Sequence, residues 1–324
     1  MQHFIGFSNI YVIGSKFFSV ICSISMLFFS LFYFAFGSGA KELAESFVTS
    51  LLENPKDYFC DGNRSKATCN AKIIKLDKNI KLRNVILDVV VNNKNSSWSF
   101  KGDIDISDAG LEPIKKVFLP NKFDCNHKYN LKNIILSSDD KCNISSSTYD
   151  LTLHSLADTQ SDVFRSKNID DAIQDSVAMF EGIDQNQDLE AVLSKFKFNH
   201  KQLVINLKGS QLGDSVFKAM KANDSSLTKE VYDSTIALGV AMIPSYLSQL
   251  PNITPATSSS LSKVAGSIAD IITSRKESAK ITLKRKSNTP VSLSLLIDFI
   301  DNLDSDRGDA FLFINDYDIT SISE

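Results

Sequence analysis

A twenty-residue stretch, opening at Phe17 and closing at Phe36 (FFSVICSISMLFFSLFYFAF), is apolar and uncharged throughout. A helix rising about 1.5 Å per residue crosses the roughly 30 Å hydrocarbon core of a bilayer in about 20 residues, with every backbone polar group satisfied internally. Ser19, Ser23, Ser25 and Ser30 suit such a helix by bonding back to preceding carbonyls, and Tyr33 suits its interfacial end. Gly37 and Gly39 close the run. The expectation is a cytoplasmic tail over 1–16, a transmembrane anchor over 17–37, and the remainder on the far side. Lys16 precedes the helix while Lys41 is offset by Glu42 and Glu45, so the positive-inside bias places the N-terminus in the cytoplasm. Ser38, Gly39 and Ala40 are small enough for signal cleavage, which is the alternative. The apolar run, however, exceeds the roughly 7–15 residues of a signal h-region.

The cysteines bear on the compartment. Cys22 lies within the apolar run, where it serves as a small filler. Cys60 and Cys69 bracket one polar loop (DGNRSKAT), and Cys125 and Cys142 bracket another (NHKYNLKNIILSSDDK). An even count outside the anchor fits disulfides in an oxidising compartment, with local pairing expected although four cysteines allow three connectivities. Four reduced thiols on a cytosolic domain are the alternative. No Cys-x-x-Cys occurs and the histidines are scattered, which argues against zinc.

Charge narrows the partners. The chain carries −3 overall, and because Lys16 is the only charged side chain before position 41, the part beyond carries −4. That disfavours nucleic acid and offers no polybasic segment for an anionic membrane surface.

Beyond the anchor the hydrophobic period switches repeatedly. Leu43, Phe47 and Leu51 mark an amphipathic helix over 41–54, stopped by Pro55. Val85, Leu87, Val89 and Val91 alternate as the core side of a strand. Trp98, Phe100, Ile104 and Ile106 alternate in a returning one, and Asp108 is placed to cap a short helix ending near Val117. The segment 80–87 (IKLRNVIL) matches 129–136 (YNLKNIIL) and suggests a second unit echoing the first. Tyr149, Leu151 and Leu153 continue the alternation. Ile169, Ile173, Val177 and Phe180 predict a helix, as does 189–193. Phe196, Phe198, Leu203, Ile205 and Leu207 mark a strand with a bend or bulge between Asn199 and Gln202. Residues 227–250 form the most apolar stretch outside the anchor. Its centre, IALGVAMI, is apolar on every face and predicts a helix buried on most sides, kinked or ended by Pro244. A further amphipathic helix over 261–272, the strand ITLKRK, a helix over 291–303 and a strand over 311–314 complete the pattern.

The L-K-N-I-I-L type of strand, and Thr289-Pro-Val-Ser-Leu293 after a late strand, resemble the YdgA- and AsmA-type bacterial envelope proteins. The resemblance implies an N-terminally anchored, periplasmic protein of repeated strands with intervening helices, single-pass in the bacterial inner membrane. It transfers no functional residue. The fold class expected is therefore α+β: an N-terminal transmembrane helix followed by a domain of mainly antiparallel strands packed with amphipathic helices. Its extracytoplasmic portion divides into a strand-rich part (41–160) holding both cysteine loops and an α+β part (161–324).

Searches for chemistry return little. There is no Walker loop, GxGxxG, HExxH or GxSxG, and His3, His127, His154 and His200 have no triad-like neighbours. Asp184, Asn186 and Asp188 open like a calcium loop, but Leu189 and Lys195 stand where glycine and glutamate are required. Asp301, Asp304, Asp306 and Asp309 form a second acidic turn. Asn-x-Ser/Thr occurs at Asn63, Asn95, Asn143, Asn223 and Asn252. Asn63 stands out as a glycosylation candidate because Asp61 precedes it in D-G-N-R-S, the extended form used by bacterial N-glycosylation. The expected function is a non-enzymatic interaction or scaffold component of the envelope, without cofactor or metal. It would be held to the membrane through 17–36, with an envelope protein or lipid as partner and no nucleic acid. The alternative is a lipid-handling protein enclosing acyl chains in a groove.

Overall fold

The computed structural model describes residues 39–51, 57–77, 79–107, 111–172, 175, 189–250, 252–292 and 314–324. They build one antiparallel sheet of eleven strands with a few helices on one face. The strands are β1 (Tyr58–Gly62), β2 (Lys66–Asp77), β3 (Ile80–Asn92), β4 (Asn95–Ile106), β5 (Lys122–Lys132), β6 (Ile135–Ser145), β7 (Asp150–Gln160), β8 (Lys197–Lys208), β9 (Ser278–Arg285), β10 (Val291–Ser292) and β11 (Tyr317–Ser323). From β1 to β9 each strand pairs with the next in sequence, and β11 completes the edge beside β9. β10 takes over from β9 along the first residues of β8.

These findings correct the α+β expectation. The architecture is mainly a single large antiparallel sheet, and no helix among the described residues is long and apolar enough to cross a membrane. The anchor expected over 17–37 lies outside the described residues.

Register places one side chain per strand in a line across the sheet. Cys60, Cys69, Leu87, Phe100, Cys125, Cys142, Leu153, Ile205 and Ile281 are successive cross-strand partners. Successive side chains on a strand point to opposite faces, so this line and its second neighbours form the packed face. The opposite face carries polar partners such as Thr68, Asp88, Ser99, Asn126 and Lys141. One packed and one solvated face is the usual solution for antiparallel sheets.

Bulges keep the alternation in phase. On β3, Asn84 and Val85 together oppose Gly102 of β4, with Asn84 in the left-handed region at φ 52°. The shift lets Leu82 and Val85, three residues apart, both enter the core. A Cβ on Gly102 would meet the Arg83 carbonyl at 2.9 Å, so the bulge requires glycine opposite it. The echo between 80–87 and 129–136 has a local cause. Asn133 is also left-handed, at φ 57°, but it turns the two-residue loop between β5 and β6. The same L-[KR]-N triplet makes a bulge in one place and a hairpin in the other, so it does not mark a repeated unit.

Two clusters share the packed face. Over β1 to β5 lies α1 (Ala40–Leu51), which buries Leu43, Ala44, Phe47 and Val48. The Phe47 ring meets Trp98 and Phe100 edge-on, with centroids 6.0 and 5.4 Å away. Trp98 donates its indole N–H to the buried Ser96 hydroxyl at 2.8 Å. Phe164, Ile169, Phe196 and Val192 of α3 (Leu189–Leu193) cover the far side of this cluster, after the five-residue α2 (Pro113–Val117). The second cluster joins β6, β7 and β9 to α4 (Leu212–Asn223), α5 (Lys229–Leu247) and α6 (Pro255–Ile272). Cys142 packs against both.

Two late expectations are corrected as well. Val291 and Ser292 are extended rather than helical, because they continue the hydrogen-bonded edge of β8. Of the strand expected over 311–314 only Ile314 is among the described residues, and it belongs to a helical turn, while the last strand described is β11, whose alternating Tyr317 and Ile319 supply the buried side. The helix α4 has no counterpart in the sequence reading.

Replacing Phe47 by Ala empties the contact between α1 and two aromatic rings. Urea denaturation is expected to show a loss of about 3–5 kcal/mol. A loss below about 1 kcal/mol would mean that α1 is not integral to this core.

Candidate functional site

The longest uncharged run among the described elements starts after Asp233 and ends before Lys263, and it holds most of α5 and the start of α6. Thr228 caps α5 by accepting from the Val231 N–H at 3.3 Å, and Thr254 caps α6 by accepting from the Thr257 N–H at 3.2 Å, with Pro255 opening that helix. The helices are pinned at one end. Tyr232 donates its hydroxyl proton to the Ile272 carbonyl at 2.6 Å, and Lys229 bonds the Thr273 carbonyl at 3.0 Å and Asp233 at 2.6 Å. The lysine charge at the C-terminal end of α6 also suits that helix's dipole.

This helix is where the structure departs most from the sequence reading. Only Tyr232, Ile236 and Leu247 of α5 are buried. Tyr232 and Ile236 join the core shared with the sheet and Tyr232 meets the Phe217 ring of α4 at 5.5 Å, while along its length α5 packs mainly against α6. α6 in turn lies on β11 and β9, where Ser321 meets Ser267 at 2.6 Å and Ser323 meets Asp270 at 2.8 Å. Beyond Ile236 only Leu247 of α5 is buried, so most of the helix has one covered side. The open side of α5 carries Val231, Leu238, Met242 and Tyr246 at 53, 60, 55 and 47 % exposure. Their spacing of seven, four and four residues puts them in one stripe about 22 Å long. The helix also runs through Pro244 for three more residues instead of ending there.

Between α5 and α6 a cleft of about 170 Å³ is lined by Ile236, Ala237, Val240, Gly266, Ala269 and Arg275, among others. A second, more polar cavity of about 310 Å³ lies by the β1–β2 and β3–β4 turns, with Arg64, Asn92, Asn93, Asn168 and Asp170 on its wall. Burial, followed by the charges of Asp171 and Glu42, holds the Asp170 carboxyl above the usual carboxylate range.

The residues singled out in sequence are scattered. Cys60–Cys69 and Cys125–Cys142 form the two disulfides, each across a pair of directly opposed strand residues with Cα atoms 4.0 and 3.9 Å apart. Asn63 sits exposed in the β1–β2 turn. His127 is on the packed face with Asp140 (2.8 Å), whereas His154 pairs with Asp139 (2.8 Å) on the open one. His3 and both acidic turns, at 184–188 and 301–309, lie outside the described residues. Among the described residues no three His, Cys, Asp or Glu side chains are placed to hold a metal ion.

His200 belongs to a polar cluster that fastens the sheet edge. Arg285 of β9 donates to the Asn199 carboxamide oxygen at 3.0 Å and faces Asp316 at 3.7 Å. The Tyr317 hydroxyl lies 3.0 Å from His200 Nδ1. Burial, and then the Arg285 charge, depress the imidazole to about 4, so it is neutral and accepts from Tyr317. Burial likewise pushes the Tyr317 phenol up to about 12. This cluster spans β8, β9 and β11 and is enclosed by them, which suits a fastening.

No protein-family model matches the chain, and no curated protein matches it.

The His200 environment predicts a pH effect. An unfolded imidazole binds its proton near 6.5, and the folded one only near 4. The stability this group contributes is complete above pH 6.5 and is lost as pH falls toward 4, by up to roughly 3 kcal/mol. His200→Gln is expected to flatten the fall in urea-unfolding free energy between those pH values. An unchanged slope would contradict the assignment.

Proposed function

We propose that the chain is a non-enzymatic interaction component held at a membrane through the uncharged run from Phe17 to Phe36, with its sheet domain on the extracytoplasmic side. The observation that carries this is the α5 stripe: four large apolar side chains, exposed and in line, on a helix that itself carries no charged side chain over its last three turns. Exposed apolar side chains scattered singly need no explanation, but an aligned set on one helix marks a contact surface. Amphipathic helices dock into apolar grooves through such i, i+4, i+7 anchors, and a protein partner with a groove of that kind is the occupant proposed.

A bilayer surface fits the stripe less well. Helices that lie on membranes carry Lys and Arg along their polar face, whereas the one lysine of α5, Lys229, is committed to Asp233 and the Thr273 carbonyl. Enclosure of an acyl chain fits less well too, since the α5–α6 cleft of about 170 Å³ is below the 300–1,000 Å³ common for small-molecule pockets. The two disulfides support an oxidising compartment. That setting agrees with the one implied by the resemblance to YdgA- and AsmA-type proteins.

The double substitution Leu238→Lys with Met242→Lys tests the proposal. Both positions are exposed, so thermal unfolding is expected to stay close to wild type. In gentle detergent extracts of its native membranes, the wild-type chain is expected to sediment as a complex larger than its own 35.9 kDa, and the variant as the single chain. A variant that still sediments with the wild-type complex would exclude the stripe as the contact. A variant that loses bound lipid instead of a protein would favour the lipid-handling alternative.

A further inference from the structure

We infer that Asn63 is an N-glycosylation site, receiving an oligosaccharide from a lipid-pyrophosphate-linked donor. This inference rests on the extracytoplasmic placement proposed above. Five Asn-x-Ser/Thr sequences occur in the chain, and the fold separates them. Asn143 lies inside β6, between β5 and β7, and its carboxamide oxygen already accepts from Thr152 at 2.8 Å. Asn95 opens β4 and accepts from Asn130 at 2.6 Å, with Ser97 fixed in the same strand. Asn223 is the last residue of α4, and no hydrogen bond among the described residues joins its side chain to Ser225. At Asn252 the required hydroxyl, that of Thr254, lies 2.8 Å from the Thr257 hydroxyl at the N-terminus of α6.

Asn63 alone among the five is exposed in a turn with its +2 hydroxyl turned onto it. The Asn63 Oδ1 accepts from the Ser65 hydroxyl at 2.9 Å, from the Ser65 N–H at 2.8 Å and from the Lys66 N–H at 3.1 Å. Three donors on the carboxamide oxygen polarise the amide, and Nδ2, the atom to be glycosylated, has no hydrogen-bond partner among the described residues. The turn stands at the outer edge of the sheet, since β1 pairs only with β2. Asp61, two residues earlier, is also exposed, and one of its carboxylate oxygens accepts from the Gly62 N–H at 2.8 Å. The acidic position of the extended sequence is therefore presented at the end of β1, beside that turn.

In the transfer, Asn63 Nδ2 forms a bond to C1 of the first sugar while the C1–O bond to the pyrophosphate breaks. The lipid pyrophosphate leaves with the electron pair, and one Nδ2 proton passes to a base of the transferase. No oxidant or reductant is needed.

Peptide mass spectrometry of the protein isolated from its own membranes, with thiols blocked before any reduction, tests this. The expected result is a glycopeptide carrying Asn63, lost in Asn63→Gln and in Ser65→Ala and kept in Ser65→Thr, with both disulfides intact. The wild-type peptide gives the answer even if a variant folds poorly. An unmodified Asn63 with both disulfides intact overturns the inference and leaves the extracytoplasmic placement standing. An unmodified Asn63 with four free thiols overturns both.

Discussion

The structure depends on keeping the core-forming apolar side chains of a long antiparallel meander on one face, even though a few such as Phe59 and Val90 stay on the other. A one-residue slip in any strand would send its whole apolar set to the solvated side. Two of the bulges guard against this. One, at Asn84 and Val85 on β3, brings Leu82 back into line with Val85 and Leu87. The other, at Lys201 on β8, does the same for Phe198 and His200 on one side and Leu203 and Ile205 on the other. The disulfides lie in the same line of cross-strand partners, so each clamps a pair of strands at the row where the core is thickest. Removing either register device would disturb the sheet on both sides of it, because every interior strand is paired twice.

A sheet with one packed face needs a cover, and the chain supplies it unevenly. Over the first five strands α1 and the segments around Phe164 and Phe196 make direct contact with the sheet. Over the later strands α4 and α6 do so. α4 also approaches α6 so closely that a Cβ on Gly213 would meet the Ile271 carbonyl at 2.7 Å. α5 enters this cluster through Tyr232 and Ile236 and otherwise lies along α6. That outlying position is what turns an apolar helix into an exposed apolar stripe, and the functional proposal follows from it rather than from any cavity.

The strands were legible in the sequence where the period of two was clean. Val85 to Val91, Trp98 and Phe100, and the β8 series with its bend all sit where their alternation puts them, as do the two local cysteine pairs. Less was legible where a residue's role depends on what lies across the sheet. Asn84 and Asn133 share a triplet and a left-handed backbone, yet only pairing partners decide which becomes a bulge and which a turn. The helix α4 does carry a helical period, with Leu212, Val216 and Ala219 buried on one face, and was legible there although the sequence reading passed over it. The α5 misreading has the plainest cause. An all-apolar helix signals that its faces avoid water, but the sequence does not say whether this chain or another molecule provides the second covering. The Asn199, Arg285 and Tyr317 cluster was invisible for a related reason, since its members are up to 118 positions apart and meet only through register.

The central claim is that the α5 stripe is covered in the membrane-held protein and open in the isolated chain. Met242 reports on this directly, because thioether oxidation by dilute peroxide follows solvent access. The account predicts that Met242 is oxidised several-fold more slowly in intact native membranes than in the purified chain, while exposed methionine in an added unfolded peptide reacts equally in both. Equal rates for Met242 in membranes and in isolation would contradict it.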